Sequence, residues 1–116
     1  MVMWDNRRAK RTRLLYYLKV YDDKAVDFLG HLIDITPGGL LVLCGRAVEP
    51  DTKLRLRLSL PTESGGSKDL ILVAKSVWCK NDLRAGGFNV GFQLQELSTE
   101  TREIIDFAIR EHAFRE

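Results

Sequence analysis

Residues 53–60, Lys-Leu-Arg-Leu-Arg-Leu-Ser-Leu, alternate without a break. Leu54, Leu56, Leu58 and Leu60 fall on one side of an extended chain, with Lys53, Arg55, Arg57 and Ser59 on the other. Successive side chains of a strand point to opposite faces, so a period of two dictates a half-buried β-strand with a wet outer surface. A helix built from these residues would scatter its leucines around the axis. The rest of the chain has to supply neighbouring strands for this one.

Further segments supply them. LLYYLKVY (14–21), VDFLGHLI (26–33) and GLLVLC (39–44) are short apolar stretches, the last two separated by a turn cluster, TPGG. The polar, glycine-containing run PTESGGSKD marks a loop after Leu60, and DLILVAKSVWC (69–79) resumes the sheet. After NDLRAGG, Phe88, Val90, Phe92 and Leu94 alternate with Asn89, Gly91, Gln93 and Gln95, the sixth strand pattern.

The period changes after Leu97. Ser98 is placed to cap a helix, Glu100 and Glu103 suit the positive end of its dipole, and Ile104, Ile105, Ala108, Ile109 and His112 recur at helical spacing. One amphipathic helix is expected to end the chain. Six short antiparallel strands with a terminal helix suit a small barrel or sandwich, in which closure hides the strand edges and the helix covers an opening.

The N-terminal stretch does not belong to that core. Residues 6–13, NRRAKRTR, hold five basic side chains and no acid. We expect a flexible basic arm over 1–13 and the barrel with its helix over 14–116. With 116 residues in all, one compact domain is the prior, and 18 Lys and Arg against 16 Asp and Glu exclude a histone-like basic protein. No apolar run reaches the roughly 20 residues of a membrane-spanning helix, and the charged N-terminus lacks the apolar stretch of a signal peptide. These features point to a cytoplasmic protein without membrane insertion. Cys44 and Cys79 are far apart in sequence and read as buried free thiols.

Little here suits catalysis. His31 lies in a strand pattern and His112 on the apolar side of the helix, neither at metal-ligand spacing from a Cys or carboxylate. The serines sit in no nucleophile elbow, and the glycine pairs Gly65-Gly66 and Gly86-Gly87 lack the strand-to-helix frame of a phosphate loop. We expect no enzyme, no metal and no cofactor.

Two features point to binding. Arg7 and Arg11 stand four apart with Arg8, Lys10 and Arg13 beside them, and guanidinium forks pair with phosphates and with the O6 and N7 edge of guanine. In Asp34-Ile35-Thr36-Pro37-Gly38-Gly39, Pro37-Gly38 suits the middle of a type II turn, with Gly38 at a positive φ. Asp34 and Thr36 share one strand face, where a carboxylate accepts hydrogen bonds from guanine N1–H and amino groups; Gly39 permits close approach to the backbone.

Together these residues resemble the PilZ domain family, bacterial receptors for cyclic di-GMP with the signature R-x-x-x-R, a spacer, then D/N-x-S-x-x-G. Arg7 and Arg11 match the first element, 22 residues intervene, and Asp34, Thr36 and Gly39 match the second, with threonine in place of the usual serine. The resemblance extends through Val77-Trp78, Val90-Gly91-Phe92-Gln93-Leu94 and the terminal helix. It implies an all-β fold, a six-stranded antiparallel barrel with a C-terminal helix. It also implies that Arg7, Arg8 and Arg11 grip cyclic di-GMP while Asp34, Thr36, Gly38 and Gly39 hold a guanine. The arm would close over the ligand and alter the surface offered to a protein partner. Two other readings remain open: a ligand-independent protein-interaction module, and a small barrel binding single-stranded nucleic acid through the arm and the Arg55 and Arg57 face, the latter the less favoured.

Overall fold

A computed structural model describes residues 12–14, 18–24, 27–62 and 64–115. In chain order the elements are β1 (Thr12–Leu14), β2 (Lys19–Asp22), β3 (Asp27–Thr36), β4 (Gly39–Cys44), β5 (Lys53–Pro61), β6 (Ser67–Asp82), β7 (Gly87–Gln95), α1 (Thr99–His112) and β8 (Ala113–Arg115). Hydrogen bonding runs β2-β5-β6-β7-β4-β3, and β3 returns to β2, so these six antiparallel strands close into a barrel. Closure pairs both edges of every barrel strand, removing the exposed edge that invites aggregation.

The alternation in β5 is realised as expected. Leu56, Leu58 and Leu60 are in the core while Lys53, Arg55 and Ser59 face solvent. Each fully buried leucine contributes about 1.5–3 kcal/mol of transfer free energy. Opposite them, Leu70, Leu72 and Ala74 of β6 fill the same interior, joined by Val42, Val90 and Phe92.

Two bulges break the period. In β3, Leu32 pairs with Val42 and Asp34 with Leu41, so Ile33 and Asp34 together oppose one residue. The inward set therefore jumps from Leu32 to Ile35, both fully buried. In β6, Ser76 pairs with Phe92 and Trp78 with Gly91, which leaves Val77 as the extra residue and exposes it. Ser76, itself buried, ties down the β4–β5 loop: its hydroxyl donates to the Glu49 carbonyl at 2.6 Å and accepts from the Thr52 N–H at 2.9 Å.

β3 and β4 approach closely at one point. A Cβ added at Gly30 would lie 2.1 Å from the Leu43 carbonyl oxygen and 2.8 Å from the Cys44 Cα. Only a residue without a side chain fits there. Cys44 beyond it is buried, and burial pushes its thiol pKa up to about 12, with a smaller contribution from neighbouring Cys79. At the β6–β7 hairpin, the Asp82 carboxylate accepts from the Ala85 N–H (3.0 Å), the Asn89 side-chain amide (2.8 Å) and the Arg84 N–H (3.0 Å), which hold it below its ordinary pKa.

The helix begins where its cap predicts. The Thr101 N–H donates to Ser98 Oγ at 3.1 Å and the Arg102 N–H to the Ser98 carbonyl at 3.0 Å. Ile105 and Ala108 are fully buried and α1 packs chiefly on β5, placing its apolar stripe in the barrel core. Contrary to expectation the helix is not the last element. Ala113–Arg115 pairs with β1 as β8, an addition created by a partner strand distant in sequence and too short to carry a period of its own. No helix among the described residues is long and apolar enough to cross a membrane.

Candidate ligand site on the outer face of β3

Ile35 points into the core, so Asp34 and Thr36 on either side of it share the outward face of β3. Thr36 pairs with Gly39, and Pro37-Gly38 form the two-residue loop between them. Gly38 is absent from the left-handed region, where only Gly65 and Gly86 among the described glycines reside. The turn is therefore not type II, correcting the expectation drawn from Pro37-Gly38. The Leu94 N–H of β7 donates to the Gly38 carbonyl at 2.9 Å and continues the β4–β7 ladder over the loop.

The outward face continues across the barrel in registered rows. Asp34 pairs with Leu41, Leu41 with Gly91 and Gly91 with Trp78. Two residues further along the same strands, Thr36, Gly39, Gln93 and Lys75 form the adjacent row. At a strand spacing of about 4.8 Å, the first row spans about 14 Å from Asp34 to Trp78. Gly91, having no side chain, leaves a flat floor between Leu41 and the indole.

The chemistry of the row is mixed. Asp34 is only 3% exposed although it faces away from the barrel interior, whereas Gly38 is exposed and a Cβ there would meet nothing within 4 Å. Trp78 Nε1 is buried without a hydrogen-bond partner among the described residues, and Lys80 Nζ stands 5.9 Å from the centre of its ring. A buried indole N–H is a donor whose desolvation is uncompensated. The arrangement thus combines a carboxylate acceptor, a hydroxyl, an indole donor with an aromatic face, and open backbone at Gly38.

Trp78 was not a candidate from sequence. Counting in twos from Ala74 and Ser76 puts it inside the barrel; the bulge at Val77 turns it out. Arg7, Arg8 and Arg11 lie outside the described residues. The strand that follows them does not: Arg13 of β1 is in register with Asp34. Of the other residues weighed from sequence, Arg55 and Arg57 both approach Asp23, each at 3.8 Å, and Arg57 lies over the Tyr21 ring at 4.6 Å. His31 packs edge-on against Phe28 with ring centres 5.2 Å apart.

Comparison with known proteins agrees with this architecture. The PilZ domain model matches residues 5–111. The chain belongs to the PilZ family. Among solved structures, the Bacillus subtilis inhibitor of motility, MotI/DgrA, is similar to this PilZ domain with a TM-score of 0.70 at 20% sequence identity, over 90% of this chain and 50% of that one. At that identity the likeness concerns the fold, and the chain spans about half the length of that protein. No curated protein matches it. PilZ domains as a family are binding and adaptor modules.

Proposed function

We propose that this PilZ domain is a bacterial, cytoplasmic receptor for cyclic di-GMP that acts on a protein partner without catalysis and without a further cofactor. The observation that carries the reading is the outward pair Asp34 and Thr36 on β3, beside the loop at Gly38 and in register with the strand that follows the arginine segment. Asp34 supplies acceptors for a guanine N1–H and amino group, and Thr36 supplies a hydroxyl. Gly38 and Gly39 let the ring approach the backbone. Arg7, Arg8 and Arg11 neutralise the phosphates and engage the O6 and N7 edge, which orders the arm and changes the surface facing the partner. Trp78 adds a donor without a partner among the described residues, and an aromatic face, at the far end of the row.

Calorimetric titration of cyclic di-GMP into wild type, Asp34→Ala and Arg7→Ala/Arg11→Ala, with GTP as a control for anion binding, tests this. Saturable binding that weakens at least about tenfold in both variants, a loss of about 1.4 kcal/mol, is expected. Equal affinity in wild type and Asp34→Ala would overturn the assignment. Gly38→Ala is a useful companion: its Cβ meets open space at a φ outside the left-handed region, so any loss of affinity reports the ligand's approach and not the fold.

A further inference from the structure

A concave site elsewhere on the barrel shares no residue with the Asp34 row. Beside the β2–β5 pairing, a cleft of about 330 Å³ has Leu54 of β5 and Val73 of β6 as its apolar lining residues. Three cations, Lys24, Lys53 and Arg55, and two carboxylates, Asp22 and Glu96, complete the lining.

The carboxylates do not cancel the cations. Asp22 is buried and already engaged: it accepts from the Lys24 N–H at 3.2 Å and faces Arg46 at 3.7 Å. The remaining pairs are loose, Lys53 with Glu96 at 3.7 Å and Arg55 with Asp23 at 3.8 Å, beyond ordinary hydrogen-bonding distance. Such solvent-exposed pairs hold their partners weakly, so both side chains keep donors for a bound anion. Glu96 adds a further sign of constraint at the lip, with φ at 54° in the left-handed region where a residue with a side chain is uncommon. A pocket with an apolar floor and a few convergent charges selects an amphipathic ligand, and its sign here is positive.

We propose that this cleft binds a small molecule carrying one anionic group, a phosphate monoester or a carboxylate, on a compact apolar body. The anion sits between Lys53, Arg55 and Lys24, and the apolar body covers Leu54 and Val73. Neither half suffices alone: a bare anion gains only screened surface charge, and a bare apolar group leaves the cations unmatched.

Amide chemical shifts of the ¹⁵N-labelled chain test the proposal, with phenyl phosphate and benzoate as probes and inorganic phosphate and benzyl alcohol as half-ligands. Saturable shifts at Lys24, Leu54, Arg55 and Glu96 are expected, with at least one probe binding about tenfold or more tighter than either half-ligand. The tighter probe tells a phosphate ester from a carboxylate. Lys53→Ala/Arg55→Ala should weaken the probe about tenfold; if that variant fails to fold, Lys24→Glu on the exposed turn should show the same direction of change. The proposal is overturned if inorganic phosphate binds as tightly as both probes, or if the shifts spread over Lys68, Lys75 and Lys80 without saturating.

Discussion

Arg13 on β1 stands in antiparallel register with Asp34 on β3, which joins the end of the basic N-terminal stretch directly to the strand that carries the candidate acceptor. β1 also holds β8, the strand following the helix, so one three-residue element links the candidate ligand face to that strand.

Ligand binding should therefore be legible in the backbone of these strands. Hydrogen–deuterium exchange at Thr12–Leu14 and at residues 33–39 is expected to slow when cyclic di-GMP saturates the protein, because opening of β1 from β3 would then require releasing the ligand. Unchanged exchange in both segments at saturation would separate β1 from the site.

The threonine at position 36 permits a two-sided substitution. Thr36→Ser keeps the hydroxyl and removes the methyl, and its affinity should equal or exceed that of wild type. Thr36→Val keeps the shape and removes the hydrogen-bonding group, a loss of about 1 kcal/mol or roughly fivefold in Kd. Calorimetry of both distinguishes them, and equal affinity for Val and Thr would remove the hydroxyl from the site.

Much of this molecule follows from residue spacing. Leu54 through Leu60 declare β5 by strict alternation, Ser98 declares the start of α1, and the Asp34-Thr36 face needs only the rule that alternate residues share a side. What escapes local reading are features decided by pairing across the sheet. The bulge at Val77 reverses the side on which Trp78 stands, and nothing in SVWC marks which residue is the extra one. Gly38, whose carbonyl accepts from the Leu94 N–H across the sheet, stays outside the left-handed region, although Pro-Gly alone favours another turn. β8 exists because β1 lies beside it, not because Ala-Phe-Arg favours a strand.

The contact at Gly30 predicts a large cost for a small change. In Gly30→Ala the new methyl group would meet the Leu43 carbonyl and the Cys44 Cα, both backbone atoms that no rotamer change can move. β3 and β4 would have to separate, at an expected cost of about 3 kcal/mol. The melting temperature should fall by about 10 °C or more, whereas Gly45→Ala, where the added carbon meets nothing within 4 Å, should leave it nearly unchanged.

Cys44 sets an alkaline limit on stability. Its thiol titrates near 9 when exposed by unfolding and near 12 in the native barrel, chiefly because burial disfavours the thiolate. Between those values the unfolded chain has released a proton that the folded chain retains, so the unfolding free energy declines as pH rises. The stabilisation from the retained proton is intact below pH 9 and is lost progressively as the pH climbs toward 12, at up to about 1.4 kcal/mol per pH unit. Urea unfolding of wild type and Cys44→Ala between pH 8 and pH 10.5 measures this directly. Cys44→Ala should be less stable than wild type at pH 8, through lost packing beside Gly30, yet decline less steeply above pH 9. Parallel slopes for the two proteins would assign the alkaline loss to other groups.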